Sequence, residues 1–216
     1  MHRRRRTALT VSAALLAASP LLSACGNEAH PGAAAVVGGQ RIEVSTVQAE
    51  VKDVRNAQQA SPQAAQLIKD SGQLGRVKLY DLIVDRVVQR AADDAGVTAS
   101  RKEIQDARSV LVQQSGGQEQ LAAMYLQQRG IAPDQLDDVV RRDVLVSKIA
   151  ARLGASNSPE GQQKMNETFT AAAKALDIDV NPRYGAWDDE KLELGSYKAP
   201  WITQVTKAEE PVETGA

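Results

Sequence analysis

The chain is nearly without the residues on which most enzyme chemistry depends. Its 216 residues include one cysteine, Cys25, and two histidines, His2 and His30. Beyond residue 30 there is neither a thiol nor an imidazole. That excludes a cysteine nucleophile, a Ser-His-Asp triad and any zinc site built on His or thiolate ligands from the body of the chain. It also excludes a disulfide framework, so stability must come from packing. No phosphate loop is present either. Gly38-Gly39 and Gly116-Gly117 lack both the P-loop lysine and the strand-to-helix frame of a dinucleotide site. Carboxylates are the chemistry-bearing groups that remain, with Asp93-Asp94 and Asp188-Asp189-Glu190 as the candidates. Adjacent acids on a helix end or loop are ordinarily just solvated, and neither run has the ligand spacing of a calcium loop. The composition reads as that of a non-enzyme with no cofactor.

What is present begins at the N-terminus. Arg3 to Arg6 precede an apolar run from Thr7 to Leu22, followed by Ser23-Ala24-Cys25. A basic segment, a short apolar segment and small residues before a cut are the three parts of a secretory signal. The apolar run is short of the ~20 residues that span a bilayer. Leu22-Ser23-Ala24-Cys25 resembles a bacterial lipobox. That resemblance implies cleavage after residue 24 and lipid attachment to Cys25, which would tether the protein to the cell membrane from outside the cytoplasm. An ordinary signal peptide followed by a free cysteine is the alternative, and the arginines leave the choice between general and twin-arginine export open. Removal of residues 1–24 leaves 22 basic against 27 acidic side chains, a net charge of −5. Such a balance argues against a nucleic-acid partner and against a polybasic membrane patch. Arg outnumbers Lys by 16 to 10 and Ala is abundant, which hints at a GC-rich bacterium; a Gram-positive cell is the expected source of the lipoprotein.

A lipidated tether is expected over residues 25–33, a folded domain over 34–204 and a polar tail over 205–216. Val36-Val37-Gly38-Gly39-Gln40-Arg41-Ile42 reads as two short strands around a glycine turn. Helical patterns follow. Ser45 with Gln48 forms a capping box that predicts a helix from about Thr46 to Gln59, and Ser61-Pro62 opens the next. Val77, Tyr80, Val84, Val87, Val88 and Ala91 step at three or four residues, widened by Leu79, Leu82 and Ile83, and predict a central helix closed by Gly96. Ser100 with Glu103 opens another, which Gly116-Gly117 breaks, and Gln118 to Arg129 forms a shorter one. Pro133 starts a long helix that runs to Gly154, with Asp137–Arg141 and Asp138–Arg142 as i,i+4 surface pairs. Ser158-Pro159 opens the last. Asp177 to Asn181 alternates like a half-buried strand, and Pro182 ends its pairing. Four of the seven aromatic residues, Tyr184, Trp187, Tyr197 and Trp201, follow closely.

The early hairpin, the amphipathic helices and the late strand with Asn181-Pro182-Arg183-Tyr184-Gly185 stand in an order that resembles the chaperone domain of the SurA, PrsA and PpiD group of extracytoplasmic folding factors. Gly96-Val97-Thr98-Ala99-Ser100 is similar to that group's helix junction, and Gly130-Ile131 with Leu136 to Ile149 to its later helices. The resemblance covers roughly residues 34–187. It implies a mainly α domain in which the first strand, 34–42, pairs with the late strand, 177–181, with Tyr184 and Trp187 packed beside that sheet. Many members carry a parvulin prolyl-isomerase domain before the late strand; only Gly154 to Ser158 separates the last two helices here.

The function so implied is that of a membrane-anchored chaperone or holdase for unfolded or nascent secreted polypeptides, working by shape. An adaptor lipoprotein for one dedicated envelope partner is the alternative, and a prolyl isomerase is the third reading. Leu121, Met124 and Tyr125, on a short helix between glycine breaks, are the candidate peptide-binding residues. Completing the core is the other use open to them, and the commoner one for such side chains.

Overall fold

Gly38 and Gly39 take positive φ, 60° and 73°, the backbone form that a tight hairpin turn requires. They join β1 (Ala33–Val37) to β2 (Gln40–Glu43) in antiparallel register, with Val36 opposite Arg41 and Val37 opposite Gln40. The structure is a computed structural model that describes residues 31–196. Gly38 is constrained twice. Its N–H donates to the Leu176 carbonyl at 2.6 Å, and a Cβ at this position would lie 2.8 Å from Leu176 Cδ2. Ala33, which the sequence reading assigns to the tether, is instead fully buried within β1. Cys25, Tyr197, Trp201 and the tail from 205 lie outside the described residues.

The chain passes from β2 directly into α1 (Val44–Ala60). The expected capping box of Ser45 and Gln48 does not form. The helix starts at Val44, and the residue before it, Glu43, makes no side-chain cap bond. Instead the Val44 N–H donates to the Gly32 carbonyl at 2.7 Å, so the hairpin itself satisfies a helix donor that would otherwise be orphaned. Ser61 also departs from expectation. It accepts the Gln63 N–H in a local turn, and α2 (Ala64–Asp70) begins after it. Several other helix ends follow the sequence signals, while α3 starts without a side-chain cap after Gln73 and the helix expected from Pro133 begins with a 3-10 turn. α3 (Leu74–Ala95) ends at Gly96 with φ 66°, and α4 (Arg101–Gln114) opens on the Ser100–Glu103 capping box. α5 (Gln118–Arg129) is followed by a 3-10 turn at Pro133–Gln135, then by α6 (Leu136–Leu153) and α7 (Pro159–Leu176), the last capped by Ser158.

After α7, β3 (Asp179–Val180) returns to pair antiparallel with β1, Ala35 opposite Val180, giving the strand order β2-β1-β3. Asn181 fastens this closure. Its N–H donates to the Ala34 carbonyl at 2.9 Å and its Nδ2 to the Ala33 carbonyl at 3.1 Å. The mainly α architecture and the pairing of the first and late strands are therefore as expected. A second sheet, β4 (Ala186–Asp188) with β5 (Glu193–Gly195), was not legible from the sequence.

The main core gathers Ala34, Val37, Val47, Leu79, Ile83, Ile149 and Ala173 from β1, α1, α3, α6 and α7. α3 runs through its centre and packs against α1, α6, α7 and β1. A central helix must satisfy neighbours on several sides, which explains its broad apolar surface. The expected surface pairs along α6 are replaced by pairs between helices. Asp137 bonds Arg108 of α4, Arg141 bonds Gln89 of α3, and Arg142 lies 2.9 Å from Asp85 and 3.7 Å from Asp81 of α3. For Arg142, carboxylates of the neighbouring helix take the place of the one a turn away because α3 and α6 lie side by side.

Candidate functional site: an apolar trough along the central helix

α3 buries Leu79, Ile83 and Val87 but leaves another line of apolar side chains uncovered. Val77 is 40% exposed and Tyr80 36%. The sequence places both in the same buried stripe as Val87 and Val88, and the structure corrects that. Among the described residues, three hollows meet on this line. The first, about 450 Å³, lies between α3, Leu67 of α2 and Leu126 of α5. The second, also about 450 Å³, is walled by Arg76 and by Leu194 of β5. The third, about 190 Å³, reaches between Val146 of α6, Phe169 of α7 and Trp187 of β4. Tyr80 lines all three and Val77 the first two, so the hollows form one trough with Tyr80 as its divider.

Each wall has an identifiable fastening. α2 has no fully buried residue, and a polar network holds it to α1. Arg55 Nη1 donates to Ser71 Oγ at 2.7 Å and to Gln58 Oε1 at 2.9 Å, while buried Gln58 donates through Nε2 to the Leu67 carbonyl at 3.3 Å. The opposite wall depends on Arg76, whose Nη2 donates to the carbonyls of Leu194 at 2.8 Å and Gly195 at 3.1 Å. Gly185, with φ 129°, permits the hairpin to close there. A Cβ on it would come within 2.1 Å of the Gly195 carbonyl oxygen.

Beside the trough runs a polar seam joining α1, α3 and α6. Lys78 is 3% exposed, and its Nζ lies 3.0 Å from Asp81 Oδ2 and donates to Gln135 Oε1 at 3.4 Å. Gln135 Nε2 in turn donates to Glu50 Oε2 at 2.6 Å. Burial raises the Glu50 pKa despite the nearby Lys78 charge. Burial also pushes Asp85 up to about 6, against the opposing attraction of Arg142. Asp143, on the rim of the smallest hollow, is raised by the same cause. These charges anchor the helices that shape the trough. Lys78 and Asp81, three residues apart, carry a pairing signal that sequence reasoning passed over.

The carboxylates singled out from the sequence have structural partners. Asp93 accepts Gln89, Asp94 pairs with Arg90, Asp189 accepts the Trp187 indole N–H at 2.9 Å, and Glu190 pairs with Lys174. Asp188 accepts the backbone N–H groups of Glu190 and Lys191, which lowers its pKa. Among the described residues no group of three or more His, Cys, Asp or Glu side chains could hold a metal ion. No helix among them is long and apolar enough to cross a membrane. Of the candidate peptide-binding residues, Leu121 is 1% and Tyr125 8% exposed, packed with Ile131, Leu136 and Val139, and Met124 is partly buried against the same cluster. They take the core role. The trough lies instead on α3, around Val77 and Tyr80.

A protein-family model described as the SurA-like N-terminal domain matches residues 2–150. The chain belongs to that family. No curated protein and no solved structure matches it. The SurA-like family is of chaperone type, in keeping with a trough that offers apolar contact. The matched region ends within α6, so α7, β3 and the β4–β5 hairpin lie beyond it. Those later elements supply Phe169, Trp187 and Leu194 to the trough. Two of its three hollows are thus finished by chain outside the family match.

Proposed function

We propose that this protein is a non-catalytic holdase that shelters apolar segments of unfolded or nascent secreted polypeptides. It works outside the cytoplasm and is held to the cell membrane by lipid on Cys25. The observation that carries the reading is the open trough over Val77 and Tyr80. An exposed apolar concavity with a polar rim is what an extended or helical client segment needs in order to leave water. Burying one client Leu or Val side chain there contributes about 1.5–3 kcal/mol. Several such contacts give useful affinity with little sequence discrimination. The lipobox-like Leu22-Ser23-Ala24-Cys25 supports the location, and the family supports the class of function.

The test is light scattering from a chemically denatured client diluted into buffer with residues 26–216. Suppression near stoichiometric ratio, repeated with a second unrelated client, supports the holdase. Failure with both clients sinks it and favours an adaptor for one dedicated envelope partner, which would be recovered as a single stoichiometric complex. Acceleration of a proline-limited refolding reaction would instead restore the isomerase reading.

A further inference from the structure

Three of the five aromatic residues within 31–196, namely Tyr80, Phe169 and Trp187, line the third hollow of the trough. Aliphatic side chains of α3, α6 and the β4–β5 turn complete an apolar wall. At about 190 Å³ the space admits one side chain, since about 150 Å³ is already enough for a benzene-sized guest. Two charged residues, Arg142 and Asp143, stand at its rim, and they differ. Arg142 is committed to α3, with its Nε 2.9 Å from Asp85 Oδ1 and its Nη1 3.7 Å from Asp81 Oδ1. Asp143 has neither a hydrogen bond nor an ion pair among the described residues; Arg129 and Arg142 attract it only from further off. It is a carboxylate beside an apolar hollow with no cation of its own.

What filling the hollow does to Asp143 decides which guest fits. Any side chain that enters takes water from this carboxylate, and a desolvated charge without a partner is destabilising. An aliphatic or aromatic guest leaves that penalty in place, and an acidic one adds repulsion. A lysine or arginine guest removes it. Its methylene stem lies in the hollow while its head stays at the rim beside Asp143. The rings of Tyr80 and Trp187 attract the same cation. On the reading that clients enter the trough, we infer that the third hollow is an anchor site for one lysine or arginine side chain of the client, with Asp143 as the residue that selects it. The client's apolar neighbours of that residue then lie over Val77 and Tyr80 in the other two hollows. A holdase built in this way prefers apolar segments interrupted by a cation to wholly apolar ones.

Fluorescence anisotropy with the full chain and three labelled peptides tests the assignment. The peptides are Ser-Leu-Val-Lys-Val-Leu-Ser and its versions with norleucine or glutamate in place of lysine. Norleucine keeps the stem and drops the charge. The lysine peptide should bind about three- to tenfold more tightly than the norleucine peptide, the range expected of one partly desolvated ion pair with a cation–π contribution. Asp143→Asn should bring the two affinities together by weakening only the lysine peptide, and Asp143→Lys should make the glutamate peptide the better ligand. Unchanged far-UV circular dichroism certifies that the variants are folded. Equal binding of the lysine and norleucine peptides by the parent chain overturns the inference; if Val77→Asp then weakens both, the trough itself stands. A lysine preference that survives Asp143→Asn overturns it too, as does the failure of all three peptides to bind. A lysine preference that depends on Asp143, in a protein that suppresses the aggregation of neither client, keeps the anchor site and removes the holdase reading.

Discussion

Tyr80 and Trp187 meet with ring centroids 6.1 Å apart and planes inclined at 36°, one from the central helix and one from the late hairpin. The contact ties the divider of the trough to chain that lies beyond the family match. Trp187 is held from behind by its indole N–H bond to Asp189. Tyr80 stays partly open to solvent while Trp187 packs against its ring.

Val77 and Tyr80 are therefore the positions at which client binding should be most sensitive. Val77→Asp removes one apolar contact and puts a charge on the trough floor, and about 1.5 kcal/mol of lost burial corresponds to roughly tenfold weaker binding. Tyr80→Ala should act in the same direction. Val77 is 40% exposed, so Val77→Asp should leave the unfolding midpoint and the far-UV circular dichroism nearly unchanged. A client titration by fluorescence anisotropy checks this. Unaltered affinity in both variants would remove the trough from consideration.

The hairpin makes a cleaner stability prediction. Gly39 has positive φ with nothing near a prospective Cβ, whereas Gly38 has positive φ and Leu176 in the way. Gly39→Ala should cost about 1 kcal/mol for the backbone alone. Gly38→Ala should cost about 1–3 kcal/mol more, because the added methyl overpacks against α7. Urea unfolding of the two variants side by side separates the effects, and equal costs would show that Leu176 yields freely.

Asp85 dictates a pH dependence. Its folded pKa, about 6, lies above the ordinary aspartate value of 3.8, so the folded protein binds this proton more tightly than the unfolded chain. The group's stabilising effect is then full below about pH 4 and is lost as pH rises through 6. The loss is on the order of 2–3 kcal/mol. Asp85→Asn should flatten the decline between pH 4 and 7 relative to the parent. Parallel stability curves for the two proteins would mean that Arg142 compensates the buried charge fully.

Cys25→Ala tests the location independently of the trough. On the proposed lipid anchoring, the variant should move from the membrane fraction to the soluble extracytoplasmic fraction, since a net charge of −5 after residue 24 gives an anionic surface little to attract. Persistence in the membrane fraction would remove the lipid anchor from the proposal.

Local signals carried most of the secondary structure. Gly96, Gly130 and Gly154 end helices in left-handed backbone, and Ser100 and Ser158 begin them through side-chain bonds, each acting on partners within a few residues of itself. What the sequence could not convey depends on which elements become neighbours. Periodicity groups Val77 and Tyr80 with the buried stripe of α3 but cannot say that one edge of that stripe goes uncovered. It pairs Arg142 with Asp138 on its own helix, while the fold offers Asp81 and Asp85 across the helix boundary. The β4–β5 hairpin consists of three-residue strands around a turn in which Leu192 has φ 53°, too short and too irregular to show a strand pattern. Leu121, Met124 and Tyr125 looked like a groove because their helix is short, yet a short helix can be fully backed when the following helix folds over it.

The closure between Asn181 and Ala33 spans 148 positions. A chain threaded across a membrane N-terminus first would present β1 long before its partner strand arrives, and sheet pairing over such a separation is slow. During the export proposed above, with Ala33 to Val37 awaiting their last neighbour, the protein would be an incomplete polypeptide, in the same condition as the chains it is proposed to hold.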